Sequence, residues 1–131
     1  MAYLDHIHAC NNFDQRDYLP FVIGNERFGW VGSPFASRLA AWPDIFNLSP
    51  EHITLAENFK DFDSRSEAVL PPLAELLKKN YVEAWRDEFY PVTSDWHMPA
   101  VMQIERAACP YFGIRAYGVH LNGFVRKNDG I

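Results

Sequence analysis

The chain has 131 residues, enough for one domain with a real core, and its 48% hydrophobic and 22% charged residues are those of a folded protein, not a disordered one. A net charge of −5 and a pI near 5.4 argue against a nucleic-acid partner. Two cysteines, Cys10 and Cys109, are too few for a zinc knuckle or a disulfide framework, and no leader or bilayer-length apolar run is present, so the expected setting is the cytoplasm, without a membrane.

Residues 3–13 place Leu4, Ile7 and Cys10 or Asn11 at helical spacing, which predicts a short amphipathic helix. His6 and His8 stand two apart, on different sides of such a helix, where a metal pair needs four. The runs FVI and RFGWV flank Gly24-Asn25, the composition of a two-residue hairpin turn. Ser33-Pro34 opens a helix, with Ser as cap and Pro in the first turn, and Pro43 stops it. Phe35, Leu39 and Trp42 share its inner face, and Arg38 is expected to be solvated.

Residues 45–55 read as two short strands around Ser-Pro-Glu. Ser64 and Glu67 have capping-box spacing for a helix reaching Lys79. Pro71-Pro72 interrupts it, yet Phe62, Val69, Leu73, Leu76 and Leu77 keep one phase, which predicts a kinked helix or two abutting helices sharing a face. Phe89 to Thr93 reads as a strand, with Pro91 placing it at an edge, and Met102 to Cys109 as a short helix ended by Pro110. Arg115 to Val125 reads as a long strand containing Gly118 and Gly123, and Asn128-Asp129-Gly130 as a hairpin turn after it. The expected fold class is α+β, a small mixed or antiparallel sheet with helices packed on one face. Both cysteines are expected to be small buried hydrophobes.

Aromatic residues reach 15%, which serves either bulky core filling or a stacking surface for a flat ligand. Three clusters are candidates for binding. Arg86, Asp87 and Glu88 lie between Trp85 and Phe89, where a charged triplet can line a cleft mouth or form solvated surface. Arg106, after Glu105, offers a fork for phosphate or carboxylate oxygens and equally suits an internal pair with Glu88 or Glu105. His120 and Asn122 would share one face of a strand. No nucleophile elbow, phosphate-binding loop or dinucleotide fingerprint is present.

The segments YLDHIHACNNFDQRDYLPF, WRDEFYPV and ERAACPYFGIRAYGVHLNGFV, in that order along the chain, resemble the N-terminal domain that precedes the catalytic domain in the thiamine-pyrophosphokinase-related subgroup of Nudix hydrolases. Pro71-Pro72 departs from that pattern, which tends to keep the segment a continuous helix. The resemblance implies an accessory α+β domain over residues 1–113, followed by the first strand and turn of a Nudix sheet over 114–131. It implies a parent enzyme cleaving small diphosphates, damaged thiamine diphosphate among them, with magnesium held by a Nudix-box helix rich in Glu. This chain has neither a Glu-Glu nor an Arg-Glu dipeptide, so no catalytic residue, metal ligand or cofactor is assigned to it.

On this reading the chain is a substrate-shaping domain whose partner is its own missing Nudix domain, and it is not an enzyme alone. Trp85, Arg86, Glu88, Tyr90, Arg106, His120 and Asn122 are its candidate substrate-binding residues. The alternative is a stand-alone ligand-binding or dimerisation module, with the edge of the Arg115 to Val125 strand pairing to a second copy.

Overall fold

The computed structural model describes residues 2–127, so the expected turn at Asn128-Asp129-Gly130 lies outside the described residues. Helix α1 (Tyr3–Cys10) comes first, and none of its residues is buried. Strands β1 (Tyr18–Ile23) and β2 (Glu26–Gly32) form the expected antiparallel hairpin around Gly24, whose φ of +63° needs a residue without a Cβ. Helix α2 (Ser33–Leu39) follows directly, then β3 (Phe46–Leu48) and β4 (Ile53–Leu55). These strands make one mixed sheet in the order β2-β1-β4-β3, with β1 parallel to β4 and the other pairs antiparallel. Helices α3 (Phe62–Ala68) and α4 (Leu70–Lys78) abut at Val69. Strands β5 (Phe89–Val92) and β6 (Met102–Glu105) make a separate antiparallel pair, and a 3-10 turn, Arg106–Ala108, leads into α5 (Cys109–Phe112). The α+β class read from the sequence is the one formed.

Phe112 is the hub of the core. It is fully buried, and its ring lies 5.2 Å from Phe21, 5.4 Å from Phe35 and 6.1 Å from Phe46, so one side chain joins α5 to the sheet and to α2. Truncating such an aromatic costs about 3–5 kcal/mol. The chain passes close to the sheet here: a Cβ on Gly29 would collide with the carbonyl oxygen of Phe112, and one on Gly113 with the backbone of Trp30. Gly113 also ends α5 in the left-handed conformation, at φ +61°.

Several expectations from the sequence are corrected. Met102 to Cys109 is not a helix: Met102, Ile104 and Glu105 are buried, and residues 102–105 pair with β5, so tertiary pairing overrides a helical spacing. Pro110 sits in the first turn of α5 instead of ending a helix, because a helix start does not need its missing N–H. Arg115 to Val125 forms no strand: among the described residues no strand pairs with it, and Val119, Leu121, Phe124 and Val125 are exposed. The capping box is Asp61 with Ser64, not Ser64 with Glu67: Asp61 Oδ1 accepts from Ser64 N at 2.7 Å.

Gly32, not Ser33, stands at the cap position of α2, and the Ser33 hydroxyl donates instead to the Asp17 carbonyl oxygen at 3.0 Å. Cys10 is exposed, because α1 has no partner to bury it, whereas Cys109 is buried. Arg38 is held over the Tyr81 ring at 3.4 Å.

Candidate functional site

The β5–β6 pair builds the densest polar arrangement in the fold. Register sets Phe89 opposite Glu105, and Glu105 ends its strand with the carboxylate turned inward and no exposed surface. Its Oε1 accepts from the backbone N of Arg86 at 2.9 Å and of Ala107 at 3.2 Å. Oε2 has no hydrogen-bond partner among the described residues. One buried carboxylate thus ties the loop before β5 to the turn after β6.

That loop bends twice through left-handed backbone, at Ala84 (φ 64°) and Asp87 (φ 56°), both costly for residues with a Cβ. Trp85 Nε1 donates to Asp87 Oδ1 at 2.8 Å, and Arg106 N donates to the Glu88 carbonyl oxygen at 2.8 Å. Outside, the Arg106 guanidinium meets Glu88 Oε2 at 2.8 Å and lies 5.6 Å from the Tyr90 ring. The Glu88 carboxylate, hydrogen-bonded to it, holds Arg106 above the ordinary arginine value. Cys109, one turn on, has its thiol pushed up to about 11, first by burial and then by the charge of Glu105. It is a thiol at neutral pH, not a nucleophile.

Arg86 and Arg106 line a groove of about 370 Å³ with Glu83, Ala107, Pro110 and Tyr111. Pro110 and Tyr111 also border a second groove of about 420 Å³ containing Arg38, Tyr81 and Tyr18. Three arginines therefore flank adjoining grooves with tyrosine walls, which suits an anionic partner bearing flat groups.

Of the residues singled out from sequence, Arg86 is bonded through its backbone to the buried Glu105, Arg106 meets Glu88 and lies beside Tyr90, and Trp85 bonds Asp87 in the same loop. The internal pair expected for Arg106 forms with Glu88. His120 and Asn122 are not brought there: both are exposed in the segment after α5 and line neither groove. Sequence reasoning missed Arg38 and Tyr81, which lie far apart along the chain and meet only because α2 and α4 pack on one core. Among the described residues, no three His, Cys, Asp or Glu side chains gather as a cation site.

A family model described as a domain of unknown function, DUF4743, matches residues 2–116. The chain belongs to this family. Nudix hydrolase 24, chloroplastic, of Arabidopsis thaliana is 33% identical over 131 aligned residues, covering 97% of this chain and 36% of that protein. Nudix hydrolase 20, chloroplastic, of the same plant is 31% identical over 138 residues, covering 97% and 37%. An uncharacterized protein of Saccharomyces cerevisiae is 33% identical over 89 residues, covering 63% of this chain and 24% of its own. The resemblance to Nudix hydrolases read from the sequence therefore holds, and this DUF4743 chain spans little more than a third of the two plant relatives. No helix among the described residues is long and apolar enough to cross a membrane.

Proposed function

We propose that this DUF4743 chain is the accessory, substrate-shaping part of a Nudix-type diphosphate hydrolase and does not cleave substrate by itself. The observation that carries this reading is the alignment of 97% of the chain with proteins named Nudix hydrolases, of which it accounts for only 36% and 37%. The arginine-lined groove at Arg86 and Arg106 is its contribution to recognition: it offers guanidinium forks to a diphosphate and the Tyr111 ring as an aromatic wall, with Tyr90 5.6 Å from the Arg106 guanidinium. Thiamine diphosphate and its damaged forms are the substrates that the resemblance suggests. The described carboxylates do not fit a magnesium ion, so any such ion would be held by residues of an adjoining Nudix domain, which is the proposed partner. A reducing cytoplasm is the proposed setting, in keeping with the unpaired Cys10 and Cys109.

The segment after α5 favours a second reading, a dimerisation module. Val119, Leu121, Phe124 and Val125 are all more than three-quarters exposed, and a second copy would cover them. Light scattering on an eluting size-exclusion peak separates the two: a tight dimer favours the module, a monomer the accessory domain. The main reading is tested by the reading frame past Ile131. Continuation into a helix rich in Glu with an Arg-Glu pair supports it; a stop codon after Ile131 overturns it.

A further inference from the structure

A further groove, whose wall includes Tyr90, is centred on residues that the readings above do not use. Arg115 lines both of its halves. In the polar half, of about 260 Å³, Arg115 is joined by Arg27, Trp30, Ser94 and the backbones of Gly29 and Gly113, which pack closely because neither carries a Cβ. The apolar half, of about 230 Å³, is walled by Tyr90, Pro91, Trp96 and Tyr117.

Both arginines are exposed, and each makes one contact within the groove. Arg115 donates one N–H to the Ser94 carbonyl oxygen at 3.0 Å, and Arg27 lies 4.6 Å from the Trp30 ring. A guanidinium carries five N–H donors, so each keeps most of its fork. Among the described residues no acidic side chain lines either half and neither arginine has an ion pair, although the chain has 17 acidic residues to 12 basic ones. Beside them, Trp96 and Tyr117 meet edge to face at 4.8 Å and 72°, with 59% and 42% of their surface exposed. Two exposed guanidinium groups and two exposed aromatic rings thus border the two halves that meet at Arg115.

We propose that this groove is a binding site for a flat aromatic phosphate monoester, with the phosphate between Arg27 and Arg115 and the ring against Trp96 and Tyr117. A phosphate dianion matches two guanidinium forks better than a monoanionic carboxylate does. The site requires neither a second domain nor a metal, so it stands apart from the Nudix reading.

The test is a titration of the 131-residue chain with 1-naphthyl phosphate, without added metal, following the indole N–H signals of Trp30 and Trp96 by nuclear magnetic resonance. Both signals are expected to move along one saturation curve, with 1-naphthol, 1-naphthoate and inorganic phosphate each binding at least about tenfold more weakly. Arg115→Gln should weaken 1-naphthyl phosphate by about tenfold, and Trp96→Leu should remove its advantage over inorganic phosphate. Arg16→Gln, a control that lines neither half, should change nothing. All three substitutions fall on exposed side chains, and unchanged far-ultraviolet dichroism will show that the fold is kept. The proposal is overturned if neither indole signal moves at saturating ligand, if Arg27→Gln with Arg115→Gln binds as tightly as the parent, or if 1-naphthoate binds equally well.

Discussion

Gly29→Ala is the most informative single substitution, because it tests the contact that fixes α5 against the sheet. Gly29 is fully built into β2, opposite Phe21, and its φ is ordinary, so the substitution adds no backbone strain of its own. The new methyl would collide with the Phe112 carbonyl oxygen and would stand 2.9 Å from that of Gly113. Neither side yields easily: β2 is held by its ladder, and Phe112 by three aromatic neighbours. Overpacking alone costs about 1–3 kcal/mol. Withdrawing Phe112 entirely would approach the ~3–5 kcal/mol of deleting it. A loss of about 3 kcal/mol is therefore expected, and with a urea slope near 2 kcal/mol per molar the midpoint should fall by roughly 1.5 M.

Gly24→Ala is the comparison. Its added methyl meets nothing within 4 Å and carries only the left-handed backbone cost, about 1–2 kcal/mol. Urea unfolding followed by tryptophan fluorescence measures both. If Gly29→Ala costs no more than Gly24→Ala, the close crossing of β2 and the end of α5 is wrong.

Other consequences are quickly checked. Iodoacetamide at pH 8 should alkylate Cys10 in the native protein and reach Cys109 only after unfolding, as read by mass spectrometry. Because burial raises the Cys109 thiol from 9.0 to about 11, its contribution to stability is full below pH 9 and is lost as pH rises toward 11; Cys109→Ala should flatten that part of the pH–stability curve. Asp61 has the opposite sign. Its pKa is held below 3.8 by the backbone and side-chain hydrogen bonds of Ser64, so its capping contribution is full above that value and is lost as pH falls through the lowered one; Asp61→Asn should remove this dependence while α3 persists. Glu88→Gln breaks only a half-exposed pair with Arg106 and should lower stability by less than about 1 kcal/mol in the same urea assay.

What the sequence revealed was what neighbouring residues decide among themselves. The Gly24-Asn25 hairpin and the junction of two helices beside Pro71-Pro72, which falls at Val69, are local, and both were legible. Met102 to Arg106 satisfies two periodicities at once, and only the distant β5 selects the strand. The alternating residues after Arg115 promise a strand, but among the described residues no strand pairs with them. The same division governs the site. Arg86, Glu88 and Tyr90 lie on one short stretch and were legible as a cluster, whereas the buried Glu105 beneath them depends on a cross-strand register. The groove around Arg115 draws on the β1–β2 hairpin, the loop after β5 and the segment after α5, so no local pattern announces it.

The claim that this chain shapes substrate without cleaving it is tested most directly by incubating the 131-residue protein with magnesium and a set of nucleoside diphosphates and thiamine diphosphate, measuring phosphate and monophosphate release. No turnover above the protein-free rate is expected. Metal-dependent cleavage that scales with protein concentration and survives repurification would contradict it.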